Sequence, residues 1–282
     1  MKKLRLNIAG AFIYFDKLLP LILKTKLHKQ FNLTVYDSVD FCPWNGGRIN
    51  YKNNASKKKV ETYNKYNIAV GVTFTNFHIN LNDKLGNNFL NILSESQRKF
   101  LKNKKNEIFL INEKFRQYLR ENYNFLLKFS IIGHYDWLTN DPDINQAIEF
   151  YKNLEYKYDL IVPKRVYVDK KWFYENLNIK KYEILYNYDC KYDCKFFYSH
   201  FKQISLQNLK ENNNIDYNID KCWITNQKPI QIDMSNDYLK KLLKLGYKNF
   251  KIAGRDTNFN ELKHDLFYFI SQLEKLKVQR NY

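Results

Sequence analysis

Residues that interrupt regular structure are scarce in this chain, which has 8 Gly and 5 Pro in 282 residues. Beside 44% hydrophobic and 17% aromatic residues, that scarcity excludes a Pro/Gly-rich disordered or fibrous chain and leaves a globule with a real core. No run of 18 apolar residues occurs, so no transmembrane helix and no membrane partner are expected. Acidic residues are few, 29 against 47 Lys and Arg, and the formal net charge of +18 points to RNA or another anionic partner. Abundant Lys, Asn, Tyr and Ile also follow from an AT-rich coding sequence, so charge alone leaves that partner open.

Conventional catalytic signatures are missing as well. There is no Ser-His-Asp order, no H-E-x-x-H and no Walker glycine loop, so nothing supports a standard hydrolase or nucleotidase. The start, "MKKLRLNIAGAFIYFDKLLPLIL", has the basic and apolar parts of a signal peptide, but Asp16 interrupts the run and no small-x-small site follows. It reads as an amphipathic segment entering the fold of a cytoplasmic protein. Thiols stay reduced in that compartment, which argues against disulfides.

Short β-rich runs alternate with helical patterns along the chain. Strands are expected at residues 33–39, 68–75, 107–111, 125–132, 159–163, 182–187, 230–234 and 250–254. Helices are expected at 112–123, 143–157, 235–247 and 258–276, the third with a Ser or Asn cap at its start and Gly246 at its end. The basic stretch 51–66 reads as a solvated loop. Eight strands in βα alternation predict parallel pairing and a TIM-like (β/α)8 barrel, regular or incomplete, with an open doubly wound sheet as the alternative. The whole of 1–282 is then one domain, with an insertion at about 188–229.

A barrel places functional groups on the loops that follow its strands. Those loops carry "DFCPWNGGRIN", "TNFHIN", "GHYDW", a cysteine stretch and "RDTN". In "WNGGR", Trp44 offers a stacking surface, Asn45 an amide and Arg48 a fork for phosphate or carboxylate, on a backbone freed by two glycines. The equally simple reading is a tight turn with a solvent-facing arginine. Asn76 and Arg255 are the corresponding candidates for binding an anionic substrate on two further loops.

Only four cysteines are present. Cys190 and Cys194 have C-x3-C spacing, and 27 residues separate Cys194 from Cys222. Three thiols in one connection of a reduced protein read as ligands of an iron–sulfur cluster or zinc, against the plainer reading of idle or buried cysteines. A C-x3-C-x2-C cluster motif is not completed, because Phe197 stands at the third position. His200 and Cys42 are the protein candidates for a fourth ligand.

"YEILYN" followed by the C-x3-C pair, and "GYKNFKIAGR" late in the chain, resemble the peptidase U32 (collagenase-like) family and its uncharacterised relatives. The resemblance implies a TIM-like barrel closed by the K-I-x-G-R strand. It further implies a [4Fe-4S] cluster, carried over here to Cys190, Cys194 and Cys222, without a clear counterpart for the family's fourth cysteine. The activity it implies is oxygen-independent hydroxylation of RNA or a similar precursor more than proteolysis. A non-catalytic RNA-binding protein with structural zinc or no metal, and a U32-type peptidase, are the alternatives.

Overall fold

The computed structural model describes residues 3–47, 53–138, 142–187, 197–209, 235–254 and 258–278. Its strands are β1 (Arg5–Ala9), β2 (Asn32–Asp37), β3 (Ala69–Thr73), β4 (Glu107–Leu110), β5 (Leu126–Phe129), β6 (Leu160–Ile161), β7 (Glu183–Leu185) and β8 (Asn249–Ile252). They form one parallel sheet in the order β6-β5-β4-β3-β2-β1-β8-β7. One parallel bridge, Ile161 to Tyr182, joins the two ends, so the sheet is a TIM-like barrel with a single unsealed seam between β6 and β7.

Ten helices accompany the strands among the described residues: α1 (Phe15–Lys24), α2 (Leu27–Gln30), α3 (Lys57–Lys65), α4 (Lys84–Phe100), α5 (Glu113–Asn122), α6 (Ile144–Lys157), α7 (Lys171–Asn176), α8 (Phe197–Leu209), α9 (Asn236–Leu245) and α10 (Phe259–Val278). Their starts follow from short polar side chains that accept otherwise unpaired N–H groups. Asp83 accepts from Gly86, Asn112 from Phe115, Asp143 from Gln146 and Ser235 from Tyr238, at 2.7–3.2 Å. Gly246 ends α9 in the left-handed region, φ +99°.

Two sequence expectations are corrected. The amphipathic entry segment begins with a strand, β1, whose alternation sends Leu6 and Ile8 to the helix-covered core and Asn7 and Ala9 inward. Residues 57–65 of the expected basic loop form α3, because Ser56 caps Lys59 and Val60, Tyr63 and Asn64 make a buried face. The expected strand at 230–234 lies outside the described residues.

The same alternation around the sheet yields an outer core, between strands and helices, and an inner lining. The lining includes Ala9, Tyr36, Phe109, Val162, Leu185 and Ala253. Below it the interior is charged. Lys128 of β5 forms ion pairs with Glu107 of β4, at 2.6 Å, and with Glu183 of β7, all three side chains with no solvent exposure. Arg5 also pairs with Glu107, Thr34 donates to it at 2.7 Å, and Asn7 donates to Glu183. Lys128 therefore ties β5 to β7 past the two-residue β6 that separates them.

Side chains reinforce the seam. At its upper end Arg165, just after β6, donates to the carbonyl of Tyr186, just after β7, at 2.6 Å. At its lower end Lys181 donates to the carbonyl of Tyr158 at 3.0 Å, and the Tyr182 hydroxyl donates to Glu155 at 2.8 Å.

Candidate functional site at the barrel mouth

The C-terminal ends of the strands define one mouth, and α8 crosses it. This helix follows β7, yet it is held by loops after β2, β3 and β5. β3 stands four strands from β7 around the ring, on the far side of the barrel. Asp136, after β5, accepts the Tyr198 N–H and the Ser199 hydroxyl, both at 2.7 Å, and so caps the first turn of α8. Asn76, after β3, donates to the Ser205 carbonyl at 2.8 Å. Asn208 donates to the Asn45 carbonyl at 3.0 Å, and the Ser205 hydroxyl to Gly46 at 3.4 Å.

These contacts locate the expected binding residues that are described. The amide of Asn76 donates to the carbonyls of Pro43, Asn45 and Ser205, while its oxygen accepts the His78 N–H. Asn45 donates to Val39 at 2.6 Å. Both amides therefore assemble the mouth by fastening one backbone segment to another.

Trp44 is not a stacking surface. It is fully buried, donates to the Asn80 carbonyl at 2.9 Å, and packs on Phe74 and Phe115. Its bulk and apolar faces fit the core better than the loop surface assigned from sequence.

Cys42 is packed in the same core, where burial pushes its thiol up to about 12 and favours the protonated form. His200 lies partly buried on α8, and burial lowers its pKa, which favours the neutral imidazole that binds metals. Arg48, Cys190, Cys194, Cys222 and Arg255 lie outside the described residues. No cluster of three or more His, Cys, Asp or Glu side chains arranged to hold a metal occurs among the described residues. As a donor set, three thiols with an imidazole suit an iron–sulfur cluster or zinc.

Several mouth residues were missed in the sequence. Lys251 of β8 points inward, its ammonium 4.2 Å from the Tyr36 ring centre and 4.0 Å from that of Phe109. Its signal was a charge between the outward Phe250 and Ile252. Lys164 and Arg165, after β6, are also nearly buried, and the Arg165 guanidinium lies 4.6 Å from the Tyr238 ring centre.

His134, in the "GHYDW" loop, is fully buried against Phe129, Phe150 and Tyr151. Its Nδ1 lies 2.7 Å from the Ile131 carbonyl, which assigns the proton there. Nε2 has no hydrogen-bond partner among the described residues. Burial, helped by the charge of Lys164, lowers its pKa to about 3.

Unfolded histidine titrates near 6.5, so the unfolded chain takes up the proton first and stability falls as pH drops below that value. From about pH 7.5 to pH 5 this group should remove about 2 kcal/mol. Urea unfolding of the wild type and of His134→Phe at the two pH values checks this. The pH-dependent loss should be smaller in the variant by about that amount, and equal losses would refute the assignment.

Fold and site together define a (β/α)8 barrel whose mouth is spanned by a helix from the β7 connection. Among solved structures, the U32 peptidase Mk0906 has this fold, with a TM-score of 0.55 over 92% of this chain and 95% of that chain, at 8% sequence identity. The barrel is therefore a U32-like fold. No family model matches the sequence, and neither does any curated protein. No described helix is long and apolar enough to cross a membrane.

Proposed function

We propose that this chain is a U32-like barrel enzyme that modifies an anionic substrate, RNA, at the mouth, by oxygen-independent hydroxylation or a related reaction. The observation that carries this reading is the anchoring of α8. The stretch holding Cys190 and Cys194 follows Asn187, two residues past the end of β7, and precedes Phe197, the first residue of α8. Asn187 donates to the Ala253 carbonyl at 3.0 Å and to Asp265 at 2.6 Å, while Asp136 fixes the start of α8. Both flanks of the cysteine pair are thus tied to the mouth, and His200 follows on the helix.

On this reading Cys190, Cys194, Cys222 and His200 would hold an iron–sulfur cluster, which supplies electron transfer when bound. Lys251 and Arg165 give the mouth its positive field toward phosphate, and Asn45 and Asn76 hold the loops that frame it. Arg48 and Arg255 are further cations for the same substrate.

Anaerobic purification with metal analysis and a visible spectrum tests the cofactor. Iron, sulfide and broad visible absorption, all lost in Cys190→Ser, are expected. A colourless protein with stoichiometric zinc would replace the reading with an RNA-binding zinc protein. Nucleoside mass analysis of RNA incubated anaerobically with the protein and a two-electron acceptor tests the reaction, and a gain of one oxygen, taken from water as two electrons and two protons leave, is expected. Hydrolysis of a denatured protein substrate without any change in RNA would favour a peptidase, the activity named for Mk0906.

A further inference from the structure

An aromatic tier stands on the rim above β5. Phe77, after β3, meets Tyr198 of α8 at 4.9 Å, Tyr198 meets Tyr135 at 5.0 Å, and Tyr135 meets Phe150 of α6 at 5.9 Å, measured between ring centres. Trp137 closes the group, 5.9 Å from Phe150 and 6.4 Å from Tyr135, with its plane 14° from that of Tyr135. The inner rings form a partly buried base, whereas Tyr135 and Trp137 are 43% and 38% exposed.

Apolar packing explains the base but not the two outer rings. Large amphipathic rings left open to water and held from behind by other rings are the usual make-up of a binding face. Phe41, on the mouth loop after β2, is exposed as well and adopts φ 49°, a left-handed conformation unfavourable for a bulky residue.

We infer that Tyr135 and Trp137 form a stacking platform for unpaired bases of single-stranded RNA. The proposed RNA substrate supplies this occupant: aromatic faces accept any unpaired base, and a chain of net charge +18 does not repel the phosphate backbone that carries it. The inference rests on the RNA reading for the class of partner, and adds the surface that grips it.

Fluorescence anisotropy with a short single-stranded oligoadenylate and an abasic oligomer of equal length tests it. Tyr135→Ala/Trp137→Ala should weaken oligoadenylate binding about tenfold or more and leave abasic binding unchanged, because one base–ring stack is worth roughly that factor. Tyr135→Phe/Trp137→Phe should keep the affinity. Equal binding of both oligomers by the wild type, or equal losses on both in the alanine variant, would overturn the platform. So would a change in self-association without loss of RNA binding.

Tryptophan fluorescence serves if the alanine variant does not fold. Oligoadenylate should quench the wild type and not Trp137→Phe, and equal quenching of the two proteins would overturn the inference. Stacking without oxygen gain in the RNA would remove only the enzymatic reading. Oxygen gain with full affinity in the alanine variant would remove only the platform.

Discussion

Replacing Lys128 by Met is expected to destabilise the protein by about 3–5 kcal/mol, the cost typical of breaking a buried ion pair from one side. Lys128 is the cation shared by Glu107 and Glu183, and none of the three side chains reaches solvent. Burial pushes the Glu107 carboxyl up, but the charges of Lys128 and Arg5, with hydrogen bonds from Lys128 and Thr34, outweigh it and hold it below its ordinary value. Methionine fills a similar volume and supplies none of that compensation.

Two further measurements separate this cause from poor packing. Adding Glu107→Gln and Glu183→Gln to Lys128→Met should recover much of the lost stability, since no fully buried charge then lacks its partner and only the part-exposed Arg5 loses one. In the single variant the cost should also shrink in mild acid, as the stranded carboxylates take up protons. The wild type behaves oppositely through Glu107: its depressed pKa contributes stability above the unfolded value near 4.3 and loses it as pH falls through the folded value. Urea unfolding of the three proteins across pH tests both statements. A cost for Lys128→Met that is under about 1 kcal/mol or independent of pH would refute the account.

The elements legible in the sequence are those whose burial follows one simple period. Seven strands were read within a few residues because apolar outward positions such as Val70, Val72, Ile108 and Leu110 mark a covered sheet. β1 was hidden because its five residues sit between a basic start and a longer apolar run, and Asn7 faces inward on a charged interior. Nothing local announces such an interior. Lys128 becomes intelligible only when β4 and β7 bring their carboxylates to it, from residues 21 and 55 positions away.

The loops that follow the strands meet in one mouth, as the barrel rule predicts, but the neighbours of single residues within it are not legible locally. Asn76 looked like a ligand-binding amide, and its work as a clamp depends on Ser205, which comes 129 positions later. Trp44 looked like a loop aromatic, and its burial depends on Gly86 of α4 lying flat against the ring. Composition and spacing report residue types, whereas these roles are fixed by tertiary neighbours. The U32-like fold was legible because the βα alternation and the K-I-x-G-R strand are local features.

The adjacent glycines of "WNGGR" should respond in opposite ways to alanine. A Cβ on Gly46 would lie 2.0 Å from the Thr75 carbonyl oxygen, 2.3 Å from its carbon and 2.5 Å from the Asn76 nitrogen. All three are backbone atoms, so no side-chain rotation relieves the overlap. At Gly47 the first neighbours are Thr75 Oγ1 at 3.6 Å and Ile132 Cδ1 at 3.7 Å, ordinary contacts. Gly46→Ala must push apart the β2 and β3 loops, breaking the Asn76 N–H to Trp44 carbonyl bond of 2.9 Å and the Asn76 clamp on Pro43 and Asn45. Since the same clamp reaches Ser205, α8 should loosen with them. A loss of about 3 kcal/mol or more is expected for Gly46→Ala, and within about 0.5 kcal/mol of no change for Gly47→Ala. Amide hydrogen exchange would show the Gly46 variant losing protection in α8 at a denaturant concentration where β1, β2 and β8 remain protected. Equal stabilities for the two variants, or unchanged protection of α8, would mean that the Gly46 contact does not hold the mouth together.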